Sequence, residues 1–75
     1  MSSVKLRREI YVMSSGQEVV SLVSIPIENT EVVLVNGLGA YPGAEYDYVL
    51  DGNEITFTYP LAANEVVMIT YDSIN

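Results

Sequence analysis

The chain has 75 residues, a formal net charge of −7 and a sequence pI near 4.1, and it contains neither cysteine nor histidine. Its length allows one domain at most, and the missing residue types exclude disulfides, thiolate zinc sites and the most common general base. The acidic balance disfavours nucleic acid and anionic membrane surfaces, so we expect neither as a partner.

All the positive charge of the chain lies near its N-terminus. The basic residues are Lys5, Arg7 and Arg8, and the ten acidic residues all follow them. This division predicts an N-terminal basic arm, residues 1–8, on a single β-sandwich module, residues 9–75. We expect the arm to meet carboxylates of a partner protein or of a sister subunit, and to add to that partner as an edge strand.

Six segments are rich in the β-branched and aromatic residues that favour strands. They cover residues 6–12, 18–25, 31–35, 46–50, 54–59 and 65–71. In the first segment, alternation places Arg8 on the same face as Ile10 and Val12. Asp51-Gly52 between the fourth and fifth segments supplies the positive φ angles of a tight hairpin turn. The last segment is apolar on both faces, which is typical of a buried central strand or of one covered by a neighbouring subunit.

These strands predict an all-β fold, a small antiparallel β-sandwich or partly open barrel of about six strands. We expect its core to contain Ile10, Val33, Val35, Leu50, Ile55, Phe57, Val67 and Ile69. A one-residue error in assigning the faces of a strand would exchange its buried and exposed sets. Because small chains without disulfides usually need another source of stability, we also expect a homo-oligomer.

The glycine-rich segment 36–45 is a long loop in this interpretation, and such loops are often functional. In one interpretation it is a contact loop that presents Leu38, Tyr41 and Pro42 to a partner. In the other it is a crossover in which Leu38 and Tyr41 fold back on the core of the domain. The tyrosines of the strands allow a similar choice between a sugar-contact or protein-contact surface and rings packed inside the sandwich.

Catalytic and metal-binding patterns are missing from the sequence. The densest acidic residues are Glu45, Asp47, Asp51 and Glu54. No base or nucleophile accompanies them, and no calcium-loop spacing occurs. The serines lack an activating base, since Lys5 is the only lysine and lies in the arm. The sequence therefore predicts a protein that is not an enzyme and needs no metal or cofactor.

Several short pieces of the chain occur in an order that is found in one class of virus proteins. The pieces are Gly16-Gln17, residues 33–37, residues 47–57, Pro60 and residues 66–71. Together they resemble the small β-sandwich module of tailed-bacteriophage tail-fibre, head-fibre and related virion proteins. The chain departs from that pattern in a longer, more apolar loop at 39–43 and in Asn64, where a glycine often stands.

The resemblance implies a structural role in the virion and brings no catalytic residues with it. As a free-standing module the chain resembles a capsid decoration (cement) protein. Such a protein is made in the host cytoplasm and binds the outer surface of the major capsid protein shell, often as a trimer. The alternative is a tail-associated or fibre-associated module that binds a host glycan or an adaptor protein. A small enzyme or an enzyme inhibitor is the least favoured class.

Overall fold

The computed structural model describes residues 3–74 and shows seven strands in two antiparallel sheets. The strands are β1 (Val4–Val12), β2 (Val19–Ser21), β3 (Val32–Val35), β4 (Leu38–Gly39), β5 (Tyr48–Asp51), β6 (Glu54–Phe57) and β7 (Val66–Ile74). One sheet has the order β1-β7-β3-β4 and the other the order β2-β6-β5. The sheets do not close into a barrel, and the predicted all-β, sandwich-like class is confirmed. Within residues 3–74 no helix is long and apolar enough to cross a membrane.

The β5–β6 hairpin was predicted most closely by the sequence pattern. Asp51 pairs with Glu54, so the tip of the hairpin consists of Gly52 and Asn53. Gly52 has a φ of +61°, which residues with a side chain seldom adopt. A glycine at the first central position is what a two-residue hairpin turn requires when only that position has a positive φ.

The second predicted strand, 18–25, is reduced to three residues in β2. Its pairing with β6 ends at Ser21, and the chain then crosses to the other sheet. There Pro26 forms a bridge with Ser73, and the amide of Ile27 donates to the carbonyl oxygen of Asp72 over 2.7 Å. The segment around Pro26 and Ile27 therefore lies beside the end of β7 that extends past its pairing with β3. The additional strand β4 arises because Leu38 pairs back on β3 beyond a tight turn.

The predicted boundary between an arm, 1–8, and a module, 9–75, does not coincide with a break in the structure. Strand β1 runs continuously from Val4 to Val12 and pairs with β7 along its whole length. The three basic residues are therefore part of the four-stranded sheet. Residues 1 and 2 of the predicted arm lie outside the described residues.

The core lies between the two sheets. Its buried apolar residues are Met13, Val20, Leu22, Val33, Tyr48, Ile55, Phe57, Leu61, Val67, Ile69 and Tyr71, with Val35 and Leu50 partly buried against them. The prediction was wrong for Ile10, whose side chain is 60% exposed. In β1 the inward side instead carries Arg7, Glu9 and Tyr11, so every side chain of this strand faces opposite to the predicted direction.

Candidate functional site

The four-stranded sheet turns one side away from the core, and we call the residues of β1, β3 and β7 on that side the outer face. It comprises Val4, Leu6, Arg8, Ile10 and Val12 of β1, Val66, Met68, Thr70, Asp72 and Ile74 of β7, and Val32 and Leu34 of β3. All except Arg8, Thr70 and Asp72 are apolar. Leu6 and Val12 are 68% and 65% exposed. Because soluble monomers rarely expose large contiguous apolar patches, the outer face has the composition of a contact surface.

The strand register makes this apolar surface continuous. Ile10 lies beside Met68, and Met68 lies beside Leu34, which gives an apolar row across three strands. Cβ atoms of directly opposed residues in such pairs are about 4.5–5.5 Å apart. The next row places Arg8 beside Thr70. A partner that lies flat on the outer face would therefore meet an apolar centre with one guanidinium group at its side.

The inward side of β1 is polar because its side chains find polar partners inside the sandwich. The Nε of Arg7 donates to the hydroxyl oxygen of Ser73 over 2.8 Å, and Ser73 is completely buried. Glu9 accepts hydrogen bonds from the hydroxyl groups of Tyr11 and Tyr71. These contacts hold the polar residues of β1 inside. The apolar residues between them in sequence consequently point to solvent.

Glu9 is the centre of this polar network. Besides the two tyrosines, the backbone amide of Val23 donates to both of its carboxylate oxygens, at 3.1 and 3.3 Å. Burial by itself would raise the pKa of Glu9, but the hydrogen bonds from Tyr11, Tyr71 and Val23 and the charge of Arg7 lower it below the ordinary 4.5. Burial and the neighbouring Glu9 raise the pKa of Tyr11. Glu9 is therefore a structural carboxylate that joins β1 to the chain near Val23.

The basic residues predicted as contacts are divided between the two sides of β1. Arg7 points inward to Ser73, as described above. Arg8 lies on the outer face beside Ile10 and Val12, which is the shared face that the alternation predicted. Lys5 and Arg8 are exposed, and their side chains donate no hydrogen bond to another residue of the described range 3–74. Two of the three cations are therefore available to a partner.

The predicted contact loop also lies at the surface. Leu38 and Tyr41 are 75% and 71% exposed, and Pro42 is exposed as well. The interpretation in which Leu38 and Tyr41 fold back on the core is therefore wrong. Asp47 holds the loop: its carboxylate accepts from the amide of Tyr41 over 2.7 Å, and its own amide donates to the carbonyl oxygen of Tyr41 over 2.9 Å.

A shallow hollow of about 280 Å³ lies between this loop and the start of β7. Its walls include Leu38, Asp47, Tyr59 and Glu65. The carboxylates already have protein partners: Tyr59 donates to Asp47 over 3.3 Å, and the amide of Ala62 donates to Glu65 over 2.6 Å. The hollow thus combines an aromatic ring with carboxylates that are held in fixed positions.

The solvent side of the three-stranded sheet differs in charge from the outer face. Asp51 and Glu54 oppose each other there and are both exposed. They are two of the acidic residues predicted as the densest group. Within residues 3–74 no three acidic side chains come together in a way that could hold a metal ion. The molecule therefore has one largely apolar side, which carries Arg8 and Asp72, and one acidic side.

Comparison with known proteins adds no relative. No family model matches this chain, and no curated protein matches its sequence. Its function must therefore be argued from the geometry of these surfaces and from its sequence pattern.

Proposed function

We propose that this protein is a non-enzymatic structural protein of a tailed-bacteriophage virion. In this proposal it is a decoration (cement) protein that binds the outer surface of the major capsid protein shell and stabilises it. The pattern of residues 16–17, 33–37 and 47–57 supports the assignment to virion modules, because it resembles theirs. The observation that carries the docking role is the exposed apolar outer face of the four-stranded sheet.

The energetics favour docking through the whole face rather than through a single anchor. Complete burial of one side chain such as Leu6 or Ile10 is worth about 1.5–3 kcal/mol. Association of two proteins costs on the order of 4–15 kcal/mol in lost freedom of motion. Several residues of the outer face must therefore be covered together, and their continuous rows across β1, β7 and β3 allow this.

The acidic side fits the same role. A docked copy would cover its apolar face and expose the three-stranded sheet, where Asp51 and Glu54 lie. With a net charge of −7 on each copy, the decorated particles would repel one another in solution. We further propose that the copies act as a homo-oligomer, with a trimer favoured, because a chain of this size has a small core.

Copy number provides the first test. A stained gel of purified virions should show this chain in amounts comparable to the major capsid protein. A band far weaker than that of the capsid protein would contradict the decoration role and would favour a tail location.

A second test uses undecorated capsids and variants of the outer face. Ile10→Thr should reduce occupancy of the capsids at least about tenfold, since it removes apolar area from the centre of the proposed contact. Val49→Thr is the matched control, because Val49 is exposed on the solvent side of the other sheet. Equal loss in both variants, or loss in neither, would contradict docking through the outer face.

The exposed loop favours a second candidate function. Leu38 and Tyr41 project into solvent, and the ring centroids of Tyr41 and Tyr46 are 6.4 Å apart. Exposed aromatic rings of this kind suit a tail-associated or fibre-associated module that binds a host glycan or an adaptor protein. A low copy number together with loss of receptor binding in Tyr41→Ala would favour this alternative.

A further inference from the structure

Strand β1 forms an open edge of the four-stranded sheet. It is the terminal strand in the order β1-β7-β3-β4 and contains nine residues. Within residues 3–74, no backbone hydrogen bond to the side of β1 away from β7 is found. A long strand with one unpaired side offers a row of backbone donors and acceptors to an additional strand.

The hydrogen bonds at the end of β1 show which residues face this open edge. The amide of Met13 donates to the carbonyl oxygen of Glu65 over 2.8 Å, so Met13 bonds towards β7. Successive residues of an antiparallel strand direct their backbone groups alternately to the two sides. Leu6, Arg8 and Ile10 therefore direct their N–H and C=O groups to the open edge.

The same alternation holds on the far side of β7. The amide of Asn36 donates to the carbonyl oxygen of Val66, and the amide of Ile27 donates to the carbonyl oxygen of Asp72. Both acceptors are even-numbered residues that face away from β1. The odd-numbered residues of β7 therefore bond to β1, which agrees with the assignment from Met13.

The charged side chains of β1 determine whether an added strand should carry acidic or basic residues. Lys5, Arg7 and Arg8, all the basic residues of the chain, lie on it. Side chains of an adjacent strand would have Cβ atoms about 4.5–5.5 Å from those directly opposite, where unlike charges are favourable and like charges are not. Antiparallel pairing of two copies over all nine residues of β1 would place Arg8 opposite Arg8 and Arg7 opposite Glu9. Arg7 and Glu9 already bond inside their own chain, to Ser73 and to Tyr11 and Tyr71, whereas the two Arg8 side chains would meet on the outer face. The exposed charge of Arg8 therefore disfavours a second copy and favours a strand that carries carboxylates.

We propose that β1 is a strand-addition site for an extended acidic segment of a partner protein. The segment extends the four-stranded sheet, and its backbone bonds to Leu6, Arg8 and Ile10. Its carboxylates point to the side of the outer face and lie next to Arg8. The identity of the partner as the capsid protein rests on the proposed function, whereas the preference for an acidic strand rests on the geometry and charge of β1.

The test uses two capped nine-residue peptides in which valine and threonine alternate with either glutamate or lysine. Binding to the full chain is measured by fluorescence anisotropy at low and high salt. The glutamate peptide should bind at least about tenfold more tightly, and the difference should decrease at high salt because screening weakens exposed charge pairs. In amide exchange measured by NMR, the peptide should protect Leu6, Arg8 and Ile10.

Backbone participation is tested with Leu6→Pro and its matched control Leu6→Thr. Proline removes an N–H group that faces the open edge and leaves the bonds between β1 and β7 in place. Threonine removes similar apolar area but keeps that N–H group. Leu6→Pro should lose most peptide binding and Leu6→Thr should keep it, and amide exchange of Val67 and Ile69 reports whether each variant is folded.

Arg8→Glu provides a second variant that does not alter the backbone. It should lower the affinity for the glutamate peptide and raise the affinity for the lysine peptide, each by about fivefold or more. Equal affinity of the two peptides for the parent chain would overturn the proposal, as would equal binding by Leu6→Pro and Leu6→Thr. Dimerisation of the chain through β1 would also overturn the proposal, because the open edge would then bind a second copy of the chain.

The outcomes separate this proposal from the proposed function. A protein that coats capsids but binds neither peptide would overturn strand addition and leave the decoration role intact. A protein that binds the glutamate peptide by the edge of β1 but does not coat capsids would overturn the decoration role alone.

Discussion

Arg7 and Ser73 are joined by a hydrogen bond of 2.8 Å from the guanidinium Nε to a completely buried hydroxyl group. The bond connects β1 with the far end of β7. It also distinguishes Arg7 from Arg8, its neighbour in sequence, which lies on the opposite side of the strand. The two arginines therefore have different roles, although both were predicted as contacts of the basic arm.

Arg7→Ala is expected to lower the free energy of unfolding by about 1–3 kcal/mol, because it leaves the buried hydroxyl group of Ser73 without this partner. Arg8→Ala is expected to change it by less than about 0.5 kcal/mol, as is usual at exposed positions, and to reduce the binding of capsids at low salt. Urea titrations and capsid-binding assays measure the two effects. Equal loss of stability in both variants would show that the inward position of Arg7 is wrong.

The lowered pKa of Glu9 predicts that the folded chain loses stability in acid. Its pKa is below the ordinary 4.5 in the folded chain, so the unfolded chain binds the proton more readily. Its contribution to stability is therefore present above pH 4.5 and is lost as the pH falls through the lower, folded pKa. The urea midpoint should fall below pH 4.5, and less steeply in Glu9→Gln. An equally steep decrease in Glu9→Gln and in the parent chain would contradict this role of Glu9.

Gly43 is a sensitive position in the contact loop. It has a φ of +136°, and a Cβ atom added there would lie 2.9 Å from the Cδ2 of Tyr46. Gly43→Ala should lower the free energy of unfolding by about 1–3 kcal/mol through backbone strain and displace the Tyr46 ring. Gly39→Ala is the control, since its Cβ would meet no heavy atom within 4 Å. Thermal unfolding of both variants measures the difference, and equal melting temperatures would contradict this loop geometry.

Amide exchange should alternate along β1. The amides of Glu9 and Tyr11 bond to β7 and should exchange slowly, whereas those of Arg8 and Ile10 face the open edge and should exchange quickly. Exchange of the free protein measured by NMR provides the check. Uniform protection along the strand would indicate that the edge is already covered, for example by another copy.

The sequence predicted the β5–β6 hairpin and the central position of β7 well. In β6 the alternation of Ile55 and Phe57 with exposed residues follows an unambiguous turn, so both the register and the buried side are determined locally. β7 is apolar on both sides, as expected for a strand between two others, and it lies between β1 and β3.

The buried side of β1 was not predictable in the same way. Alternation shows which residues share a side, but it does not show which side is inside. The apolar side was expected to be inside. Glu9 and Arg7 reverse that choice through Tyr71 and Ser73, which are more than 60 residues away in sequence. No local pattern reports such partners.

The surface character of the loop depends on a similarly hidden contact. Asp47 was predicted only as one of several solvated acids. Its carboxylate bonds to the amide of Tyr41 and accepts from Tyr59, and so it fixes the direction in which the loop leaves the sheet. The position of Tyr41 therefore depends on a hydrogen bond that composition and spacing do not reveal, whereas Leu38 is positioned by its pairing with Val35.

The pairing of β1 with β7 has a consequence for the order of events during synthesis. Val4 pairs with Ile74. The first described strand, β1, therefore cannot form its backbone hydrogen bonds until the last strand, β7, has been synthesised. Until then its apolar side chains have no sheet to join, and even the nearest pair of the two strands, Val12 with Val66, closes a long loop. Folds dominated by such distant contacts form slowly, in about milliseconds to seconds. The sheet that we propose for docking is therefore expected to form only after translation of β7, with the β5–β6 hairpin available earlier as a nucleus.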